Sequence, residues 1–127
     1  MRRSILVVED NRDLADTQAI LLRAAGYRVA IAYDGFQAVA AAQAEAPDLV
    51  LLDIGLPGLD GYEVAELLRG DGRTAEAVIV AVSAYDPAHD LARAVRPAFD
   101  HRLMKPVTGR ELLTFLKSAG RPARDSN

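Results

Sequence analysis

The sequence predicts an open α/β fold, a parallel sheet of five strands with helices packed on both of its faces. Three observations predict it. Four short apolar runs, "ILVV", "YRVAIA", "DLVLL" and "AVIVAV", and a weaker fifth, "HRLMK", are spaced along the 127 residues. Apolar runs of this length bounded by turn signals read as strands covered on both faces, the pattern of a parallel sheet. Between them lie longer amphipathic segments with helix start and stop signals, and strict alternation of the two kinds implies right-handed crossovers.

Each element has a local reason. After the first strand, Asn11 can cap a helix whose apolar residues Leu14, Leu21, Leu22 and Ala25 recur at helical spacing, and Gly26 is a natural stop. "YRVAIA" then gives the second strand. Asp34 can cap an alanine-rich helix running to about Ala46, which Pro47 discourages from continuing. The third strand ends at Asp53. Beyond the loop "IGLPGL", Asp60 and Glu63 have capping-box spacing and open a helix with Val64, Leu67 and Leu68 inward. The fourth strand runs from Val78 to Val82. Asp86, with Pro87 in the first helical position, opens a short helix that Pro97 closes or kinks. Thr108 and Glu111 form a second capping-box pattern ahead of Leu112, Leu113 and Leu116, and this last helix ends near Gly120. Leucines at this spacing read as core rather than as a partner groove. The small fold with this rhythm is the flavodoxin-like, doubly wound (βα)5 sheet with strand order 2-1-3-4-5.

The length fits one domain, placed at residues 4–118, with a polar, loose C-terminal tail at 119–127. Half of the residues are hydrophobic and 26% are charged, enough for an ordinary core. The absence of cysteine excludes disulfides, thiolate metal cages and a cysteine nucleophile, and suits a cytoplasmic setting. No apolar stretch reaches signal-peptide or membrane-span length, so no membrane partner is expected. A net charge of −3 with scattered basic residues gives no stripe for nucleic acid, so no direct DNA binding is expected either.

In a sheet of this class the C-terminal strand ends open on one edge, and ligands bind at the switch point between the first and third strands. That edge collects Glu9 and Asp10 from the first strand, Asp53 from the third, Ser83 from the fourth and Lys105 from the fifth. Taken singly, acids cap helices, serines begin turns and a lysine before proline is a loop residue. Together they are a polar cluster assembled from distant sequence. Three adjacent carboxylates repel one another, which raises a pKa or calls for a cation, and a hard dication such as Mg2+ takes oxygen ligands. Lys105 and the Ser83 hydroxyl are then donors for an anion beside the metal, for which a phosphoryl group is the natural choice. Elsewhere, His89 and His101 lack metal-ligand spacing, and "GLPGLDG" lacks the lysine and hydroxyl residue of a nucleotide-phosphate loop.

Four separated motifs, "ILVVEDN", "DLVLLDIGLPGLDGYEV", "VIVAVSA" and "LMKPV", stand in the order and spacing of the receiver domains of response regulators, and the chain resembles that family over residues 4–118. The resemblance implies a phosphoacceptor switch of a two-component phosphorelay rather than a conventional enzyme. By match, Asp53 is the phosphoacceptor and a metal ligand. Asp10 ligates Mg2+ directly, Glu9 acts mainly through water, and Gly55 supplies a backbone carbonyl. Lys105 stabilises the transferred group, and Ser83 moves toward it. The donor is a phosphohistidine on a histidine kinase or histidine phosphotransfer protein, and the output is a changed surface for a downstream protein partner, with a homodimer left open. The resemblance also implies a protein that assists its own phosphotransfer and autodephosphorylation, so the mark is expected to be transient.

The chain departs from the family pattern in places. Arg102 stands three residues before Lys105, where receivers commonly carry the aromatic that swings inward, so that coupling is put in doubt. Arg102 is instead available to a partner carboxylate. Glu9 replaces the more frequent aspartate, and Ala98 stands where a glycine is common. Gly55 and Tyr85 occupy positions that tune dephosphorylation, the glycine opening the water path and the tyrosine covering it. Two other readings share these residues: a receiver-like adaptor that is never phosphorylated, and a small metal-dependent phosphatase, for which no insertion supplies a substrate pocket. A stand-alone regulator and a receiver belonging to a hybrid kinase are both compatible with the chain.

Overall fold

The computed structural model describes residues 3–56, 58–83 and 98–119. In chain order the elements are β1 (Ser4–Val8), α1 (Arg12–Ala24), β2 (Arg28–Ala32), α2 (Gly35–Ala44), β3 (Leu49–Asp53), α3 (Gly61–Gly70), β4 (Val78–Ser83), β5 (His101–Met104) and α4 (Gly109–Ala119). The strands form one parallel sheet in the order β2-β1-β3-β4-β5, as expected. The helix expected from Asp86 to Pro97, with Tyr85 and His89, lies outside the described residues, as does the tail beyond Ala119.

Alternation along the central strands divides the core in two. Leu6, Val8, Val50, Leu52 and Ile79 face Ala38 and Ala42 of α2 and Val64 and Leu68 of α3. Ile5, Val7, Leu49, Leu51, Val78 and Val80 face Ala15 and Leu22 of α1 and Leu112 and Leu116 of α4. A period of two with both faces covered is why β1, β3 and β4 read as unbroken apolar runs. The edge strands differ from the expectation. Arg28 and Ala30 of β2 and Arg102 and Met104 of β5 are exposed, so these strands have one covered face and alternate accordingly.

Helix ends follow the sequence signals closely. Asn11 accepts from the Leu14 N–H, Asp34 from Gln37 and Asp60 from Glu63. Both capping boxes close, since the Glu63 carboxylate accepts from the Asp60 N–H and the Glu111 carboxylate from the Thr108 N–H. Gly26 takes φ +103°, the left-handed turn that ends α1 at low cost only for glycine. In α1 the buried stripe is Ala15, Ala19 and Leu22, and Leu14 is exposed. One expected inward face is corrected: in α3, Leu67 is half exposed and Tyr62, Val64, Ala65 and Leu68 point inward.

Two glycines allow close approaches that place the β3–α3 loop. A Cβ on Gly61 would stand 2.7 Å from both the Asp53 carbonyl oxygen and the Ile54 Cα. On Gly35 it would collide with the Leu59 carbonyl oxygen. The first turns of α2 and α3 therefore press on the backbone on either side of this loop.

Candidate functional site

β1, β3 and β5 deliver the predicted residues to the C-terminal edge of the sheet. Glu9, Asp10 and Asp53 each present a carboxylate oxygen, and these oxygens lie within 4.8 Å of one another. Glu9 and Asp53 are buried, whereas Asp10 is exposed at the mouth. Lys105 reaches in from the end of β5, its Nζ 3.2 Å from Asp53 Oδ2 and 3.8 Å from Glu9 Oε1. Its backbone N–H donates to the Ser83 carbonyl at 2.9 Å, which fixes the ends of β4 and β5 together. Ser83 is itself buried there.

The second oxygen of Asp53 is held from the loop, where the Gly55 N–H donates to Oδ1 at 3.0 Å. One oxygen is thus paired to a lysine and the other to a backbone amide, so the carboxylate has a defined orientation. The Asn11 N–H donates to Glu9 Oε2 at 3.1 Å. Burial pushes the Glu9 carboxyl up to about 7, and the neighbouring Asp53 charge and the hydrogen bond with Asp10 push the same way, against the Asn11 amide and Lys105. Three acids against one lysine leave the crevice with surplus negative charge. That charge balance and an all-oxygen donor set fit a hard divalent cation, so the residues present suit Mg2+.

The other predicted positions are placed as follows. Arg102 is exposed on β5. His101 stacks edge-on against Phe115 of α4, with ring centroids 5.1 Å apart, away from any metal-ligating group named above. A cleft of about 180 Å³ lined by Glu9, Leu14, Gln18, Val82, Lys105, Pro106 and Val107 opens beside the acids.

Sequence reasoning missed a second charged centre at the opposite edge. Arg69, near the end of α3, donates from Nη2 to Asp100 Oδ2 at 2.7 Å, from Nη1 to the carbonyls of Ala75 at 3.0 Å and Ala77 at 2.6 Å, and from Nε to Ala98 at 3.1 Å. Asp100 Oδ2 also accepts the Ile79 N–H at 2.8 Å, and the Asp100 N–H donates to the Ile79 carbonyl at 2.8 Å. Local sequence carries no signal for this pair, because an arginine in a last helical turn ordinarily reads as a solvated partner of the helix dipole.

The chain is thus a doubly wound parallel sheet with an acid cluster and a facing lysine at its switch point, the place where sheets of this class bind ligands. The chain belongs to the response regulator receiver domain family, which it matches over residues 5–117. It is a receiver domain of a two-component system. It is 37% identical over 118 residues to the DNA-binding response regulator MtrA of Mycolicibacterium paratuberculosis, covering 93% of this chain and 51% of that protein. The chain therefore spans about half the length of the curated relatives it matches. The receiver domain of the sensor histidine kinase PA1611 from Pseudomonas aeruginosa, solved with a magnesium ion in its active-site cleft, is 32% identical, with a TM-score of 0.82 over 92% of this chain and 96% of that one. Vibrio cholerae CheY4 shares the fold at a TM-score of 0.85 and 24% identity, over 92% of this chain and 98% of that one.

These relatives correct the expectation that nucleic acid plays no part. MtrA is a DNA-binding response regulator, and it is about twice the length covered by this chain. Net charge and scattered arginines describe only the residues in hand, so they had no bearing on the partners of a longer regulator. Among the described residues no helix is long and apolar enough to cross a membrane.

Proposed function

We propose that this chain is the phosphoacceptor switch of a two-component phosphorelay, with Asp53 as acceptor. The observation that carries the reading is the pairing of the buried Asp53 carboxylate with Lys105 at 3.2 Å inside a cluster of three acids. An Asp53 oxygen attacks the phosphorus of a phosphohistidine on a histidine kinase or phosphotransfer protein. The new P–O bond forms as the P–N bond breaks, the electron pair returns to the imidazole, and the product is an acyl phosphate. Water attacking the phosphorus later restores the carboxylate.

Glu9, Asp10 and Asp53, with the Gly55 carbonyl, would hold Mg2+. When bound, the ion offsets charge on the phosphoryl oxygens. Lys105 stands where it can leave its ion pair with Asp53 for a phosphoryl oxygen, and the Ser83 hydroxyl, at the same strand ends, would move to donate to one as well. The similarity to MtrA supports a receiver that works within a DNA-binding response regulator. Acetyl phosphate with Mg2+ is expected to add one phosphoryl unit to the intact mass, and Asp53→Asn to abolish the addition. Labelling that persists in Asp53→Asn would sink the assignment.

A further inference from the structure

β5 has a charged group at each end. Asp100 precedes it and Lys105 follows it, and the ladder to β4 runs from the Asp100 N–H on Ile79 to the Lys105 N–H on Ser83. The strand has only four residues and only β4 as a sheet neighbour. A two-residue slip of so short a strand would keep its covered face and replace one set of ladder hydrogen bonds with an equivalent set. Here the slip is blocked at one end. Asp100 is 3% exposed at its side chain, and its carboxylate is bonded to both Arg69 and the Ile79 N–H, so a shifted strand would carry a buried charge away from its cation. Arg69 also takes the Ala98 carbonyl, which fixes the approach to the strand on the near side of Phe99. Phe99 in turn packs on Tyr62, with ring centroids 5.4 Å apart.

We infer that Arg69, through Asp100, is a positioning residue for Lys105: it sets the register of β5 and thereby the distance from Nζ to the Asp53 carboxylate. Arg69 touches none of the reacting atoms, and its effect on phosphotransfer runs through the lysine at the other end of the strand. Transfer chemistry is steep in distance, since misplacement of a charged group by about 1 Å is enough to slow it markedly. The fork geometry is needed, because the guanidinium serves three carbonyls and a carboxylate at once, whereas an ammonium cannot span them.

This inference rests on Asp53 being the acceptor, so the test is a double-mutant cycle built on labelling by acetyl phosphate and Mg2+. The initial rate is measured for the unaltered chain, Arg69→Lys, Lys105→Ala and the double variant. Arg69→Lys is expected to slow labelling by about tenfold when Lys105 is present and to have no further effect in Lys105→Ala. Asp100→Asn, which keeps an acceptor for the Ile79 N–H, carries the same test if Arg69→Lys does not fold. An equal slowing in both backgrounds, the mark of a merely structural residue, would overturn the inference, as would an undiminished rate in both Arg69→Lys and Asp100→Asn. A chain that takes no label in any form would instead refute Asp53 as acceptor.

Discussion

The two ends of β5 carry the same kind of contact in opposite states of completion. At the N-terminal edge of the sheet, Arg69 meets one carboxylate and three carbonyls, and Asp100 accepts from both the guanidinium and a backbone amide. At the C-terminal edge, one lysine faces three carboxylates and makes a close pair with only one of them. The first arrangement satisfies its charges within the chain. The second leaves, among the described residues, a surplus of carboxylates over cations. Buried charges hold structure when they are complete and bind when they are not, and the same four-residue strand connects both cases.

That contrast can be broken from either side. The largest effect is expected at the complete end: Arg69→Met leaves Asp100 buried without its cation and should cost about 3–5 kcal/mol in urea unfolding. At the incomplete end, Mg2+ should stabilise instead, raising the unfolding free energy by about 2.7 kcal/mol at a hundredfold excess over its Kd. Asp10→Asn should blunt that rise without altering the metal-free midpoint by a comparable amount.

Smaller effects sharpen the same comparison. Asp53→Asn removes one of three clustered acids while keeping an acceptor for the Gly55 N–H, so the Mg2+-dependent rise should shrink again, read by urea unfolding with and without the metal. Lys105→Ala should cost less than Arg69→Met in the same unfolding measurement, because the lysine is 35% exposed at its side chain and makes one close ion pair, although labelling falls. The smallest effect belongs to Asp71, at the end of α3, whose carboxyl is held down to about 2 by hydrogen bonds from Arg73. Its folded value is lowered, so its contribution is fully present at neutral pH and is lost as pH falls from the ordinary carboxylate range through about 2. Carboxyl NMR titration should place the midpoint there, and Arg73→Ala should return it to the ordinary range.

These two ends also mark how far the sequence could be read. The strand order, the two capping boxes and the Gly26 stop were legible because each depends on residues within a few positions of one another. Glu9, Asp10, Asp53, Ser83 and Lys105 were legible for a different reason: every parallel strand ends on the same edge, so topology alone gathers their terminal residues. Arg69 and Asp100 were not, because 31 positions separate them and neither sits at a strand's C-terminal end. The inward face of α3 was misjudged in part because helical spacing does not choose between adjacent leucines: Leu68 is buried and Leu67 is half exposed.

Gly35 and Gly61 extend this point to what substitution can do. Any side chain at Gly61 would have to occupy space already held by the Asp53 carbonyl, and at Gly35 that of the Leu59 carbonyl. The acceptor loop is therefore guarded by two hydrogen atoms as well as by the hydrogen bonds it makes. Variation could change an exposed acid such as Asp10 and leave a folded relative with altered chemistry, but these two positions admit nothing larger while the loop stays where it is.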